Sequence, residues 1–151
     1  MRDRASNDSC RQEEFYQKCT RKGCIICRWT GYTHFISGFA SGVDLMFADI
    51  VAEMKKTYPI TLEAAIPYPD RMKTPDETFQ RLIGCCDVVK IHSDHYFKGC
   101  YEVRNRYMVD SAGLVIAVWD GRDSGGTAAT VRYAKARCVN TIAIKIVTNK
   151  E

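Results

Sequence analysis

Two short segments carry the residue types that hold anions. The first is Phe35-Ile-Ser-Gly-Phe-Ala-Ser-Gly-Val-Asp44, where an apolar run stops at Ser37 and glycines stand at 38 and 42. The second is Val118-Trp-Asp-Gly-Arg-Asp-Ser-Gly-Gly-Thr127. Glycine lets a ligand come close to the backbone. A helix that starts just after such a turn aims its free N–H groups at negative charge. On this reading Gly38, Gly42, Gly125, Gly126 and Thr127 contact phosphate, and Ser37 and Asp44 hold the turn or a sugar hydroxyl. Asp120 and Gly121 join the candidate binding residues of the second turn. Between the two lies Arg104-Asn105-Arg106, in a segment with helical character. Residues two apart do not share a helix face, so one arginine points inward and the other to solvent. Arg104 is the expected phosphate partner, bidentate where geometry permits, with Asn105 beside it. A plainer reading exists for each turn. Ser41 and Asp44 have the spacing of a capping box, and Ser124 could cap the second helix. The spacing is also not G-x-G-x-x-G.

What must position these turns is a set of alternating elements. Short β-rich runs occur at Tyr32–Ser37, Leu62–Ile66, Val88–Ile91, Leu114–Trp119 and Thr141–Val147, with helical patterns near 42–57, 76–86, 100–110 and 126–138. Such alternation predicts βαβ units and an open parallel sheet of about five strands flanked by helices. Val43, Phe47, Ile50, Val51 and Met54 trace one apolar helix face, as do Phe79, Leu82, Ile83 and Cys86. Leu114–Trp119 is apolar throughout, as expected of a strand buried on both faces. Lys145 places the last strand nearer an edge. Both turns then fall at the carboxyl ends of strands, where open α/β sheets bind ligands. Residues 10–30 read as a helix weakened by Gly23, and residues 1–9 as disordered. Residues 10–151 make a single domain.

Composition narrows the function classes. The chain has 151 residues, with 46% hydrophobic and 26% charged side chains, the balance of one globular domain. No run of about 18 apolar residues is present, and the first residues have no apolar core of a signal peptide. A cytoplasmic protein with no membrane partner is the expectation. Lys and Arg exceed Asp and Glu by four, and residues 1–28 hold three of the four excess charges. The near-neutral remainder disfavours nucleic acid as a partner.

Eight cysteines would suggest a disulfide scaffold in a secreted chain; here reduced thiols are expected. Cys24-Ile-Ile-Cys27 lacks the second pair that a zinc site wants and the preceding strand of a redox motif. His92-Ser-Asp-His95 with Cys100 reads as a polar loop rather than a metal site. No metal, no cofactor and no catalytic residue is assigned. Ser37 has no assignable His and Asp partner for nucleophilic chemistry.

Four segments together, FISGFASGVD (35–44), AAIPYP (64–69), RNRYMVDSAGLVIAVWDG (104–121) and GGT (125–127), resemble the SLOG superfamily. Within it they are most similar to the small YpsA/YoqJ-like proteins of bacteria and their phages. The resemblance covers nearly all of residues 32–147. It implies a Rossmann-like fold that binds a nucleotide or nucleotide-derived ligand, as a non-hydrolytic sensor or regulatory domain. Two wider relatives supply alternatives: a DprA-like nucleic-acid or protein-binding module, and a LOG-type enzyme that releases a base from a nucleoside monophosphate. The hydrolase pattern R-K-x-x-M and P-G-G-x-G-T-x-E-E is met at Arg104, Met108, Gly126 and Thr127. Asn105 stands in place of the Lys, and Ala129 and Thr130 stand where the two carboxylates would be. Without a carboxylate for proton handling at the ribose, hydrolysis is disfavoured; Asp44, Glu102 and Asp120 are the nearby substitutes. The family also usually opens with a strand ending in a T-G-H-R-P-like motif. This chain begins Met1-Arg-Asp-Arg, so a sheet lacking that first strand is expected. A homodimer is the default assembly for such a domain.

Overall fold

The computed structural model describes residues 30–145. Five strands and four α-helices alternate along them. They are β1 (His34–Ser37), α1 (Val43–Met54), β2 (Thr61–Ile66), α2 (Glu77–Ile83), β3 (Val88–Ile91), α3 (Cys100–Asp110), β4 (Leu114–Trp119), α4 (Gly126–Ala136) and β5 (Asn140–Lys145). A 3-10 helix, Pro69–Lys73, follows β2. All pairing is parallel, as the alternation predicted. The candidate helix at 10–30, the segment 1–9, the Cys24–Cys27 pair and residues 146–147 of the last predicted strand lie outside the described residues.

The strands form two open sheets, β1-β2-β3 and β4-β5. In the first, the register runs from His34 opposite Thr61 to Ser37 opposite Ala64, and from Glu63 opposite Val88 to Ile66 opposite Ile91. Period-two alternation then puts Phe35, Leu62, Ala64 and Ile66 on one face. That face meets α1 and α2 in a core with Phe39, Leu45, Ala48, Val51, Phe79 and Leu82. Phe39 and Phe79 pack edge to face at 5.5 Å between centroids, and burial of each ring contributes about 1.5–3 kcal/mol. Asp76 caps α2 through its side chain, accepting from Phe79 N at 3.2 Å, so the residue that enters the core also begins the helix.

Two expectations are revised. The buried face of α1 is Leu45, Ala48, Ile50 and Val51, while Val43, Phe47 and Met54 are only half-buried. Phe47 and Met54 still pack against the core, so the buried side of α1 contains most of the periodic stripe and is widened by Leu45 and Ala48. In β4 only Ala117 is buried. Its apolar run is half-covered because, among the described residues, β5 alone pairs with it. The two sheets are still one body. Leu114 and Ile116 pack against the first core, and Tyr32 presses on Gly113, where a Cβ would come within 2.8 Å of the ring. The β3 strand, an outer strand of the first sheet, exposes Val88, Val89 and Ile91. No helix among the described residues is long and apolar enough to cross a membrane.

Candidate functional site

The β1 strand ends on Ser37, which is buried. Its hydroxyl donates to Asp44 O at 2.8 Å and accepts from Phe39 N at 3.3 Å. The Asp44 carboxylate accepts from Ala40 N at 3.2 Å. The turn thus satisfies its own N–H groups at 39 and 40 through side chains seven residues apart. Phe39 takes a left-handed conformation, φ 54°, which a bulky residue adopts only when its surroundings hold it there. Here the hold is the burial of its ring against Phe79. Gly42, φ 88°, is the N-cap of α1 and supplies no side-chain bond. The Ser41–Asp44 capping box does not form, because Asp44 turns back to Ala40.

Arg104 lies beneath this turn with 5% of its surface exposed. Its Nη1 donates to Gly38 O and, at 3.4 Å, to Ala65 O. One guanidinium on α3 therefore straps the ends of β1 and β2 together. A Cβ on Gly38 would lie 2.2 Å from Arg104 Nη1 and 2.7 Å from Asp44 Oδ2, so the close approach requires glycine. Burial lowers the Arg104 pKa, and the Asp44 charge partly restores it. Burial likewise raises the Asp44 pKa against the opposing pull of Arg104 and the Ala40 N–H. Each charge steadies the other without a direct ion pair. Asn105, next along α3, is half-buried, and Arg106 faces outward to Glu102 at 2.6 Å. The two arginines diverge as their spacing requires.

Above the turn lies a cavity of ≈ 120 Å³, lined by Gly38, Phe39, Ala40, Ile66, Pro67, Arg71, Phe79 and Tyr101. Two of these carry polar groups that the sequence reading passed over. Arg71 sits on the 3-10 helix after β2, and Tyr101 in the first turn of α3. A signal was available for Arg71: in Pro67-Tyr-Pro-Asp-Arg71 it follows the carboxyl end of a parallel strand, the same sheet edge as the glycine turn.

The second turn is built differently. Asp120 pairs with the Arg122 guanidinium and accepts from Arg122 N at 3.1 Å, which lowers its pKa. Trp119 Nε1 donates to Arg122 O at 2.9 Å. Gly121 and Gly125 have positive φ, 87° and 97°. Gly125 is the N-cap of α4 without a side-chain bond, so Ser124 does not cap it. Gly126 and Thr127 are exposed. Ser37, Gly38, Asp44 and Arg104 are thus brought into one contact group, while Asp120, Gly121, Gly125, Gly126 and Thr127 form a separate turn at the end of the second sheet.

No group of three or more His, Cys, Asp or Glu among the described residues has metal-binding geometry. His92 stacks on Tyr107 at 4.2 Å and its Nε2 is buried without a partner. Cys100 is buried at the start of α3. Cys86 is a packing thiol whose pKa burial pushes up to about 11.

A parallel α/β arrangement with glycine turns at the carboxyl ends of β1 and β4 defines a Rossmann-like domain. The family model described as YpsA, YspA SLOG family matches residues 7–151, and the chain belongs to that family. No curated protein matches it.

Proposed function

We propose that this domain binds a nucleotide or nucleotide-derived ligand at the carboxyl edge of its first sheet and does not hydrolyse it, acting as a sensor or regulatory domain. The observation that carries this reading is the Gly38 turn, pre-built around Arg104 and opening onto a cavity. Family membership agrees with a nucleotide-related role. In this reading Ser37, Asp44 and Arg104 shape the turn, Gly38 and Gly42 admit the ligand, and Gly121, Gly125, Gly126 and Thr127 approach it from the second turn with Asp120 and Asn105 alongside. Occupancy of the nearby carboxylates disfavours turnover. Asp44 is held by Ala40 N, Glu102 by Arg106 and Asp120 by Arg122. None is poised as the general base that glycosidic cleavage needs.

The test is thermal unfolding of the purified protein against a panel of nucleotides, dinucleotides and cyclic nucleotides. A ligand at 100 times its Kd adds about 2.7 kcal/mol to the folded state, a plain rise in Tm. A cooperative melt that no compound shifts refutes binding, and free base released from a nucleoside monophosphate refutes the non-hydrolytic part.

A further inference from the structure

The cavity of ≈ 120 Å³ is smaller than the about 300–1,000 Å³ of an ordinary ligand pocket. A ligand larger than one ring therefore extends beyond it, and the surface at its mouth decides what that ligand is. Two features stand there. Tyr101, 40% exposed, lines the cavity. Tyr68 meets both Tyr101 and Tyr96 edge to face, at 6.1 and 5.4 Å, and Tyr96 is 63% exposed. The Arg104 guanidinium lies 5.7 Å from the Tyr101 ring centroid. The rings are thus fixed in place by one another and by a buried cation while two of them stay open to solvent. Ordered, accessible aromatic faces are what nucleobases stack on.

The second feature is charge. Arg104 is spent on the carbonyls of Gly38 and Ala65. Arg71, half-exposed on the same cavity wall, makes no side-chain hydrogen bond or ion pair among the described residues. The neighbouring carboxylate, Asp70, is taken by Lys73 at 2.7 Å. Arg71 and Arg104 feel each other as like charges, with Asp44 as the counter-charge acting most strongly on Arg104. Two guanidiniums against one carboxylate leave the cavity mouth positive.

We propose that Arg71 is the anion contact of this site and Tyr101, braced by Tyr68 and Tyr96, its base-stacking surface. The ligand is then a nucleoside phosphate lying across the cavity mouth, and Arg104 acts only through the turn it holds. This rests on the nucleotide-binding reading above and assigns the residues that would select within it.

Calorimetric titration of the full chain with AMP, GMP, CMP and UMP comes first, followed by Arg71→Ala, Arg71→Lys, Tyr101→Ala and Tyr101→Phe with whichever nucleotide binds. Its nucleoside and ribose 5-phosphate serve as half-ligands, followed by ligand-observed NMR. Arg71→Ala is expected to weaken the nucleotide and ribose 5-phosphate at least tenfold and to leave the nucleoside unchanged, with Arg71→Lys intermediate. Tyr101→Ala is expected to weaken the nucleotide and nucleoside about tenfold and spare ribose 5-phosphate, while Tyr101→Phe keeps wild-type affinity. Among the described residues Arg71 has no hydrogen-bond or ion-pair partner to lose, so its variants should melt with the wild type. Nucleotide binding that neither alanine variant weakens overturns the assignment and leaves the binding reading standing. No binding of any of the four to wild-type protein overturns the assignment, while the binding reading falls only if the wider panel of dinucleotides and cyclic nucleotides also leaves the melt unshifted.

Discussion

Replacing Gly38 by alanine puts the strongest demand on the geometry of the turn. The added Cβ would sit 2.2 Å from Arg104 Nη1, 2.9 Å from Arg104 Cζ and 2.7 Å from Asp44 Oδ2, all well inside an ordinary carbon contact of about 3.5 Å. Arg104 is a long side chain, but it is 5% exposed and bonded to two carbonyls, so it cannot swing aside without giving up both. A hydrogen bond to a charged group is worth about 1.5–3 kcal/mol, and a buried charge left without partners costs about 3–5 kcal/mol. These overlap rather than add, which gives an expected loss of about 4 kcal/mol. For a chain of this size that is a fall in Tm on the order of 10 °C. Gly42→Ala is the control. It introduces backbone strain at φ +88° but meets no atom within 4 Å, so about 1–3 kcal/mol is expected. Urea unfolding of both variants, of Arg104→Met, and of Gly38→Ala combined with Arg104→Met completes the cycle. Removing the guanidinium removes two of the three close contacts and leaves Asp44 Oδ2, so the alanine should cost at least about 2 kcal/mol less in the Met background. A Gly38→Ala protein within about 1 kcal/mol of wild type would refute the strap.

Asp44 has a raised pKa in the folded state, so the folded protein holds that proton more tightly than the unfolded chain. Its stabilising contribution is full below the ordinary value of 3.8 and is lost as pH rises through the raised pKa. Asp44→Asn, which keeps an acceptor for Ala40 N, should remove that falling slope in urea titrations above pH 4; an unchanged slope would count against a buried carboxylate. His92 behaves in the opposite sense. Burial, then Lys90, lowers its pKa, so its share of stability is present above 6.5 and is lost as pH falls towards the lowered value. His92→Phe should flatten the fall in unfolding free energy as pH drops below 6.5, and a variant that tracks wild type there would exclude His92 as its source. Thiol labelling with iodoacetamide at pH 8, read by peptide mass, should modify exposed Cys138 well before Cys86, whose thiol is held near 11; equal rates would contradict the burial of Cys86.

The elements were legible because their periods are strong, and the partners were not because partners come from elsewhere in the chain. Leu114–Trp119 was readable as a strand from six consecutive apolar residues, yet its half-burial depends on what pairs with its outer edge, which no local pattern encodes. The Ser41–Asp44 spacing fits a capping box, and the same Asp44 serves Ala40 instead because the turn places that N–H within 3.2 Å. Arg104 was identified from its sequence neighbourhood, but that it lies under Gly38, 66 residues away, is a property of the packed fold. Arg71 and Tyr101 went unnoticed for a related reason. Each is an ordinary turn or helix-start residue until β2 and α3 bring both to one cavity wall.

The two glycine turns differ in how firmly the fold holds them, and that difference bears on what a ligand would do. The first is fixed from below by Arg104, from the side by Ser37 and Asp44, and by a ladder that continues into β2 and β3. The second ends a sheet that, among the described residues, shares no ladder with the first. Its position relative to the first turn is transmitted through α3, through α4 packed on it, and through Tyr32 against Gly113. Side-chain packing of this kind opens at lower free energy than a continuous hydrogen-bonded ladder. A ligand spanning both turns would therefore meet a rigid wall at Gly38 and gain order at Gly125–Thr127, and the energy spent on that ordering would appear as weaker affinity. Contacts confined to the first turn, Arg71 and Tyr101 avoid it. That is the physical reason to expect the anion and the base to be read at the first sheet.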